Sequence, residues 1–337
     1  MVKPEIFELG DFATQRGTVL PDAKLAYATL GELNAKKDNV VICPTWFTGY
    51  IGDVPPIFVG EGRAIDPARH FVIIPALFSM GESSSPSNTP PPHEFARFPH
   101  VTYYDNVRAQ HRLVTEKFGI DEIALVASWS MGGTQAYQWA AQYPEMIKAI
   151  APVACAARTG NYNKLFLNSN IKAIKADPAF KGGYYGDMPP LEGMHVMAHI
   201  YAGWGMSEEF YRQEVFKAFG HPTLDDFLAD FWQAYFGARD ANNLINQMWT
   251  WSNGDISDQP AYGGDFDKAL GAIKARAVVM PSSTDQYFPP VDNEAEVAQM
   301  PNATLKVLPS VLGHFAPFSP ESQKDFDDGI REAMDTA

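Results

Sequence analysis

The chain has 337 residues, 46% hydrophobic, 13% aromatic and 20% charged, which excludes disordered, collagen-like and coiled-coil classes. Lys and Arg number 26 against 40 Asp and Glu, a net charge of −14 that repels phosphate backbones and anionic lipid, so neither nucleic acid nor a membrane is an expected partner. Cys43 and Cys155 are too few for a disulfide scaffold or a thiolate zinc site, and each sits in an apolar run, so both read as core thiols and no metal is expected. In chain order, the start MVKPEIFELGDF is acidic and lacks the apolar core of a signal peptide, and no apolar run approaches the ~20 residues that span a bilayer. A cytoplasmic location is the expectation. Short apolar runs at 40–45, 70–76, 122–128 and 148–154 predict strands buried on both faces, as in a parallel sheet. Between the second and third, Val107, Leu113, Val114 and Phe118 recur at helical spacing, so the sheet is doubly wound with right-handed crossovers. The stretch 79–100, rich in Ser and Pro, is too long for an ordinary connection and is either a solvated excursion or a wall of a binding site. From 157 to 261 the text is helical and rich in Met and aromatics, and strand-like runs resume at 275–283 and 304–310. The expected organisation is a core of residues 1–156 and 262–337 carrying a helical cap at 157–261.

The chemistry concentrates at 124–144, where an apolar strand runs into Ser128-Trp129-Ser130-Met131-Gly132-Gly133 and a helix follows at once. A nucleophile elbow needs this context: the serine sits on a strained strand-to-helix turn, and the residues two before and two after it must be small. Gly132 fits, Ser128 stands where glycine is commoner, and Ser130 is the expected nucleophile. Ser128 is a lesser candidate, because it lies at the strand end. A serine needs a histidine base oriented by a carboxylate, and in this kind of fold the order is Ser, acid, His, each after its own strand. Asp285 follows the run at 277–280 and His314 follows the run at 304–310. His70, His93, His100, His111, His195, His199 and His221 lack that setting. The oxyanion formed during attack needs two N–H donors. Met131 supplies one, and the loop Thr45-Trp46-Phe47-Thr48-Gly49 supplies the other from Phe47 or Trp46, with Phe47 favoured.

The elbow SMGG, the stretch FPHVTYYDNVRAQHRLVTEKFGI, the cap text IKAIKADPAFKGGYY and the acid loop SSTDQYFPP together resemble the homoserine O-acetyltransferase branch of the α/β-hydrolase superfamily, over about residues 38–335. The resemblance implies the α/β-hydrolase fold with its cap, the triad Ser130, Asp285 and His314, oxyanion donors Phe47 and Met131, an acyl-serine intermediate, no cofactor and dimerisation through the cap. Members of that branch either transfer acetyl groups from acetyl-CoA to homoserine or a related alcohol, or hydrolyse esters. The acyltransferases carry an Asp directly after the catalytic histidine, where this chain has Phe315, and a cap Arg and Tyr where an ungapped reading places His199 and Met206. Without charged partners, burial of a zwitterion is uncompensated. The expectation is therefore a serine esterase for a small or medium uncharged ester, an acetate being one candidate. Trp46, Trp129, His199, Met206 and Phe315 are its expected substrate contacts. An acyl-CoA-dependent O-acyltransferase for a less polar alcohol is the alternative, and a non-catalytic binding protein of the same fold is a third. The cap residues Trp204, Trp232, Trp249, Trp251, Phe210, Phe227, Phe231 and Phe236 exceed what a thin helical layer buries, which points to a twofold contact.

Overall fold

The computed structural model describes residues 2–335. One sheet holds eight strands: β1 (Glu5–Ala13), β2 (Val19–Leu30), β3 (Val40–Ile42), β4 (Phe71–Pro75), β5 (Leu125–Trp129), β6 (Ala149–Val153), β7 (Arg276–Val279) and β8 (Ala303–Leu305). Their spatial order is β1-β2-β4-β3-β5-β6-β7-β8, antiparallel at β1/β2 and β2/β4 and parallel from β4 onward. Among the described residues, seven α-helices have eight residues or more: α1 (Tyr103–Arg112), α2 (Met131–Gln142), α3 (Asn161–Ala176), α4 (Leu191–Gly205), α5 (Ala241–Ser252), α6 (Pro290–Val297) and α7 (Gln323–Met334). None of the described helices is long and apolar enough to cross a membrane.

The inner strands are apolar throughout because both faces are covered. Val41, Val72, Ile74 and Ala127 pack in one cluster with Phe58, Phe326 and the residues of the 157–261 segment. Their strand neighbours Val40, Ile42, Ile73 and Val126 pack on the opposite face with Val107, Leu113 and Trp139. The β1–β2 hairpin left no clear mark in the sequence. β1 has only Leu9 and Phe12 buried, it is bulged at Gly10, and its Glu, Asp and Gly content contradicts strand propensity, so pairing to β2 decides its conformation.

The stretch 79–100 divides: residues 83–86 are packed against the sheet, whereas 90–92 and 95–97 are exposed. Ser83 Oγ accepts from Ala26 N at 3.0 Å and donates to Ala76 O at 2.9 Å, while Ser84 exchanges backbone and side-chain hydrogen bonds with Lys24. The serines thus satisfy the backbone of β2 beyond the end of β4. Farther along, Phe95, Phe98 and His100 join Lys175, Phe180 and Asn242 around a cleft of about 340 Å³.

Between β6 and β7 the described residues hold α3, α4, α5 and shorter helical turns. α3 and α4 run antiparallel: Tyr162 and Phe166 meet Trp204 and Tyr201 at one end, and Gly193 lies against Ala173 and Ile174 at the other. Of the aromatic residues counted toward a twofold contact, Phe210, Phe227, Trp232, Phe236 and Trp251 are buried within the single chain, whereas Trp204 and Trp249 are half-buried and Phe231 is exposed. The buried ones belong to one apolar cluster shared with the sheet, Trp251 reaching Phe47 and Phe288 and Trp232 reaching Phe315.

The entrance to this segment is held by a buried carboxylate. Glu296 on α6 accepts from Ala157 N at 2.7 Å and from Asn293 Nδ2 at 2.9 Å, and Asn293 also donates to Cys155 O. Complete burial pushes its carboxyl up from an ordinary 4.5 to about 7. Unfolded chains release this proton above about 4.5 whereas the folded chain keeps it to about 7, so folding takes up a proton in that window and stability falls as pH rises through it. The loss is on the order of 3 kcal/mol. Thermal melts from pH 5 to 8 should show the melting temperature falling with pH, and Glu296→Gln should flatten the slope while keeping an acceptor for Ala157 N–H. An unchanged slope in the variant would remove Glu296 as its source.

Candidate active site

β3 and β5 are parallel neighbours, with Val41 opposite Leu125 and Ile42 opposite Val126. From β3 the chain moves to β4 on one side, and the next strand, β5, lies on the other, so the order reverses between them. Open α/β sheets form a crevice at such a point, outside the carboxyl ends of the strands. The loop 43–49 leaves β3 and the turn at Ser130 leaves β5, which brings both to that crevice.

Ser130 has φ 57° and ψ −131°, a conformation costing a non-glycine residue on the order of 1–3 kcal/mol. Its N–H is tied to Val153 O at 2.9 Å. The turn closes only because of its neighbours. A Cβ on Gly132 would lie 2.2 Å from Ser128 Oγ and 2.6 Å from Pro44 O, and one on Gly133 would lie 2.5 Å from Cys155 Sγ. Ser128 points away from the crevice's chemistry: its hydroxyl donates to Pro44 O at 2.6 Å and it is wholly buried. It splices β5 to the start of the β3 loop, which answers why a serine replaces the commoner glycine.

Ser130 Oγ lies 2.8 Å from His314 Nε2, and His314 Nδ1 lies 2.7 Å from Asp285 Oδ2. The other carboxylate oxygen of Asp285 accepts from Tyr287 N at 2.8 Å and Phe288 N at 3.1 Å, which fixes the carboxylate plane. The three residues are 3%, 1% and 4% exposed, so the line of hydrogen bonds is screened from bulk water. β8 ends at Leu305, earlier than its apolar run suggests, and the Ser282–Leu308 bridge and the bond from Ser283 N to Leu308 O carry the acid and histidine loops onward side by side.

The N–H groups of Met131, Phe47 and Trp46 have no acceptor among the described residues. The loop bearing the latter two is gripped at both ends. Gln135 Nε2 donates to Thr45 O at 3.0 Å, Gln110 Nε2 donates to Gln135 Oε1, and Trp139 Nε1 donates to Gln110 Oε1. At the far end Gln247 Oε1 accepts from Thr48 N at 3.1 Å, and Thr48, at φ 64°, shares a 2.8 Å hydrogen bond with the Tyr235 hydroxyl.

Four of the five expected substrate contacts gather round this line. Trp129 Nε1 donates to His314 O at 2.9 Å, and its ring meets Trp46 at 5.3 Å and Phe315 at 5.2 Å. The backbone of Met206, at the end of α4, abuts Gly313, where a Cβ would lie 2.5 Å from Gly205 O and 2.9 Å from Met206 C. His199 is the exception. It lies exposed on α4 with Nε2 2.8 Å from the Gln233 amide, because the helix turns that position to solvent and gives the inward one to Tyr201. Tyr201, which stacks on Phe47 at 5.7 Å, and Tyr287, 4.8 Å from His314, were not anticipated. Nor were Gln135 and Gln247, since an isolated Gln in a helix carries no sequence signal of its partner.

The α/β-hydrolase fold model matches residues 38–320. The chain belongs to the α/β-hydrolase fold family. The ethyl acetate hydrolase of Pseudomonas veronii is 39% identical over 320 residues, covering 95% of this chain and 91% of that protein. The solved structure of the acetyl esterase MekB superposes with a TM-score of 0.96 at 37% identity, covering 99% of this chain and 97% of the other. The homoserine O-acetyltransferase of Trichormus variabilis is 30% identical over 325 residues, covering 90% of this chain and 87% of that enzyme. The chain therefore stands in the branch of the α/β-hydrolase family that holds homoserine O-acetyltransferases, on its esterase side.

The geometry makes Ser130 the expected site of covalent capture. A fluorophosphonate should label Ser130 and spare Ser130→Ala, whose ester turnover should fall on the order of 10⁶-fold. Asp285→Asn should fold and cost roughly 10⁴ in kcat, because an amide holds His314 in the wrong tautomer. Labelling at Ser128, or full activity in Asp285→Asn, would overturn the arrangement.

Proposed function

We propose that this enzyme hydrolyses short, uncharged acetate esters through an acyl-Ser130 intermediate. The observation that carries the proposal is the hydrogen-bonded line Ser130–His314–Asp285, enclosed by aromatic rings at the crevice of the sheet. Ser130 Oγ attacks the ester carbonyl carbon while its proton passes to His314 Nε2, and Asp285 Oδ2 holds the Nδ1–H of the imidazolium. The carbonyl oxygen becomes an oxyanion facing the N–H groups of Phe47 and Met131, each worth about 2.7–4 kcal/mol in the transition state by analogy with other oxyanion donors. As the tetrahedral species collapses, the bond to the alkoxy oxygen breaks and the leaving alcohol takes the proton from Nε2. Water then adds to the acyl-serine with Nε2 as base, and the second collapse returns that proton to Oγ and releases the carboxylic acid, which loses its remaining proton to solvent.

The near-complete closure over Ser130 and the aromatic surroundings favour a small, neutral substrate, and the relatives, an ethyl acetate hydrolase and an acetyl esterase, point the same way. Trp46, Trp129, Met206 and Phe315 are its proposed contacts, whereas His199 is too exposed to be one. Phe315 is packed among Trp129, Trp232 and Phe318 where the acyltransferases place an Asp, which speaks against a zwitterionic acceptor. In this reading 157–261 is a cap on a core of 1–156 and 262–337. Two unpaired, buried cysteines suit the cytoplasm. A panel of acetate, butyrate and longer esters, assayed with and without acetyl-CoA and homoserine, tests the reading. Fastest hydrolysis of short acetates with negligible transfer is expected, and robust homoserine acetylation would reject it.

The cap is also the proposed seat of a homodimer. Its support is a set of exposed apolar residues on the α3–α4 pair, namely Tyr162, Leu165 and Val196, which are 57%, 61% and 53% exposed. Light scattering at micromolar concentration should give twice the mass of one chain, and Leu165→Asp should give single chains that still hydrolyse ester, since Ser130, Asp285 and His314 come from one chain. A single-chain mass for the unaltered protein would discard the dimer.

A further inference from the structure

Two buried donors on residues that touch the loop 43–49 have nothing to donate to. Trp251 Nε1 and Gln247 Nε2 lack an acceptor among the described residues, although the two side chains are 0% and 1% exposed. They stand four residues apart on α5, so both lie on one face of that helix. The Gln247 amide is oriented by its partner: Thr48 N–H requires an acceptor, so Oε1 faces Thr48 and Nε2 is the group left over. Trp251 sits where the oxyanion loop and the histidine converge. Its ring lies 5.8 Å from Phe47, 5.6 Å from Tyr287 and 5.5 Å from Phe288, and the last two rings lie 4.8 Å and 5.7 Å from His314.

Burying an N–H with no partner is costly, and most buried polar groups in folded proteins are satisfied. Other buried polar atoms of this chain are also unpaired, among them Tyr103 Oη and Trp232 Nε1. What singles out Gln247 and Trp251 is that both belong to side chains in contact with the oxyanion loop, one through a hydrogen bond and one through a ring. They are donors only and uncharged, so the group they suit is a neutral oxygen acceptor.

We propose that Gln247 and Trp251 form a donor pair on the cap side of the pocket that binds an oxygen of the ester, making them specificity-determining residues for the reaction proposed above, on which this inference rests. An ester presents two such oxygens, carbonyl and alkoxy, and both are acceptors. A neutral pair accepts either without the charge compensation that a carboxylate or ammonium substrate requires. Gln247 has a second task, since the same amide that offers Nε2 holds Thr48 and with it the loop that leaves the Phe47 N–H free.

Trp251→Phe removes the N–H and keeps an aromatic ring in the stack, while Gln247→Met removes both halves of the amide at similar length. Each variant is assayed for kcat and KM on an acetate O-ester and on the acetate thioester of the corresponding thiol, whose sulfur is a poor acceptor. Complete labelling of Ser130 by a fluorophosphonate, together with an unshifted melt, establishes that the variant is folded with its nucleophile in place. Trp251→Phe should lower kcat/KM on the O-ester about three- to tenfold, the scale of one neutral hydrogen bond. Loss on the O-ester alone, carried by KM, assigns the alkoxy oxygen. Loss on both substrates, carried by kcat, assigns the carbonyl oxygen, and either outcome upholds the pair. Combined in one chain, the two changes should cost less than the product of their separate effects, because both donors serve one site. If kcat and KM of folded Trp251→Phe stay within twofold of the unaltered enzyme on both substrates, the pair is structural and the inference fails. If the unaltered enzyme hydrolyses neither ester, the functional reading fails and this inference falls with it.

Discussion

Everything at this site depends on how closely the carboxyl ends of β3 and β5 approach each other. Their adjacency is fixed by the parallel register of Val41 with Leu125 and Ile42 with Val126, two strands buried on both faces that cannot slip without exposing apolar side chains. Given that register, the loop after one strand and the turn after the other must share a space in which a single Cβ on Gly132 would collide with Pro44 O. The Ser128 hydroxyl turns that crowding into a bond by donating to the same carbonyl oxygen. A strained Ser130 is held by bonds on either side of it, so the strain persists in the fold instead of relaxing.

The loop 43–49, which carries the proposed oxyanion donor Phe47, is the second element that no single part of the chain determines. Core residues hold its beginning through the relay Trp139, Gln110, Gln135 and Thr45 O, and the helical segment between β6 and β7 holds its end through Gln247 and Tyr235 on Thr48. The acid and histidine loops are bridged in the same manner. Asn163 of α3 donates to Tyr287 O, Tyr287 donates to Tyr201 O on α4, and Gly313 is wedged against Gly205 and Met206. The helices over the sheet therefore take part in fixing the backbone around Ser130 as well as covering it. Displacing them would loosen both loops together, which couples access for substrate to the geometry of the site.

How much of this was legible in the sequence varied with how local the cause was. The parallel strands and the elbow rest on short-range patterns, an apolar run or a small residue two places from a serine, and the order of Ser130, Asp285 and His314 along the chain follows from where the strands end. The β1–β2 hairpin was invisible because its conformation comes from pairing, against the preference of Glu8, Gly10 and Asp11. The serines at 83 and 84 read as loop composition, yet they complete the backbone bonding of β2. His199 and Tyr201 differ by two positions, about 200° on a helix. A register carried from distant landmarks selects the wrong one of such a pair readily. The aromatic surplus of the helical segment is ambiguous for another reason: counting rings says how much must be buried, but not whether the same chain or a second one buries it.

The surroundings of His314 also bear on why water, rather than an alcohol acceptor, should resolve an acyl-serine here. In the proposed mechanism both fates use the same base and the same oxyanion donors, so the line Ser130–His314–Asp285 cannot distinguish them. Discrimination falls to the groups that hold the second substrate. A zwitterionic acceptor brings an ammonium and a carboxylate into a closed site, and each must recover its lost hydration from a charged partner. Apart from Ser130 and Asp285, His314 is surrounded by the rings of Trp129, Tyr287, Phe288 and Phe315, and Trp251, with its unpaired N–H, lies against Tyr287 and Phe288. Such a lining offers an amino acid no counter-charge and gives a neutral ester both apolar contact and an N–H. Water needs no clamp to compete at that point. In the proposed reading the balance between hydrolysis and transfer in this chain therefore rests on the side chains around Ser130, His314 and Asp285 rather than on those three residues themselves.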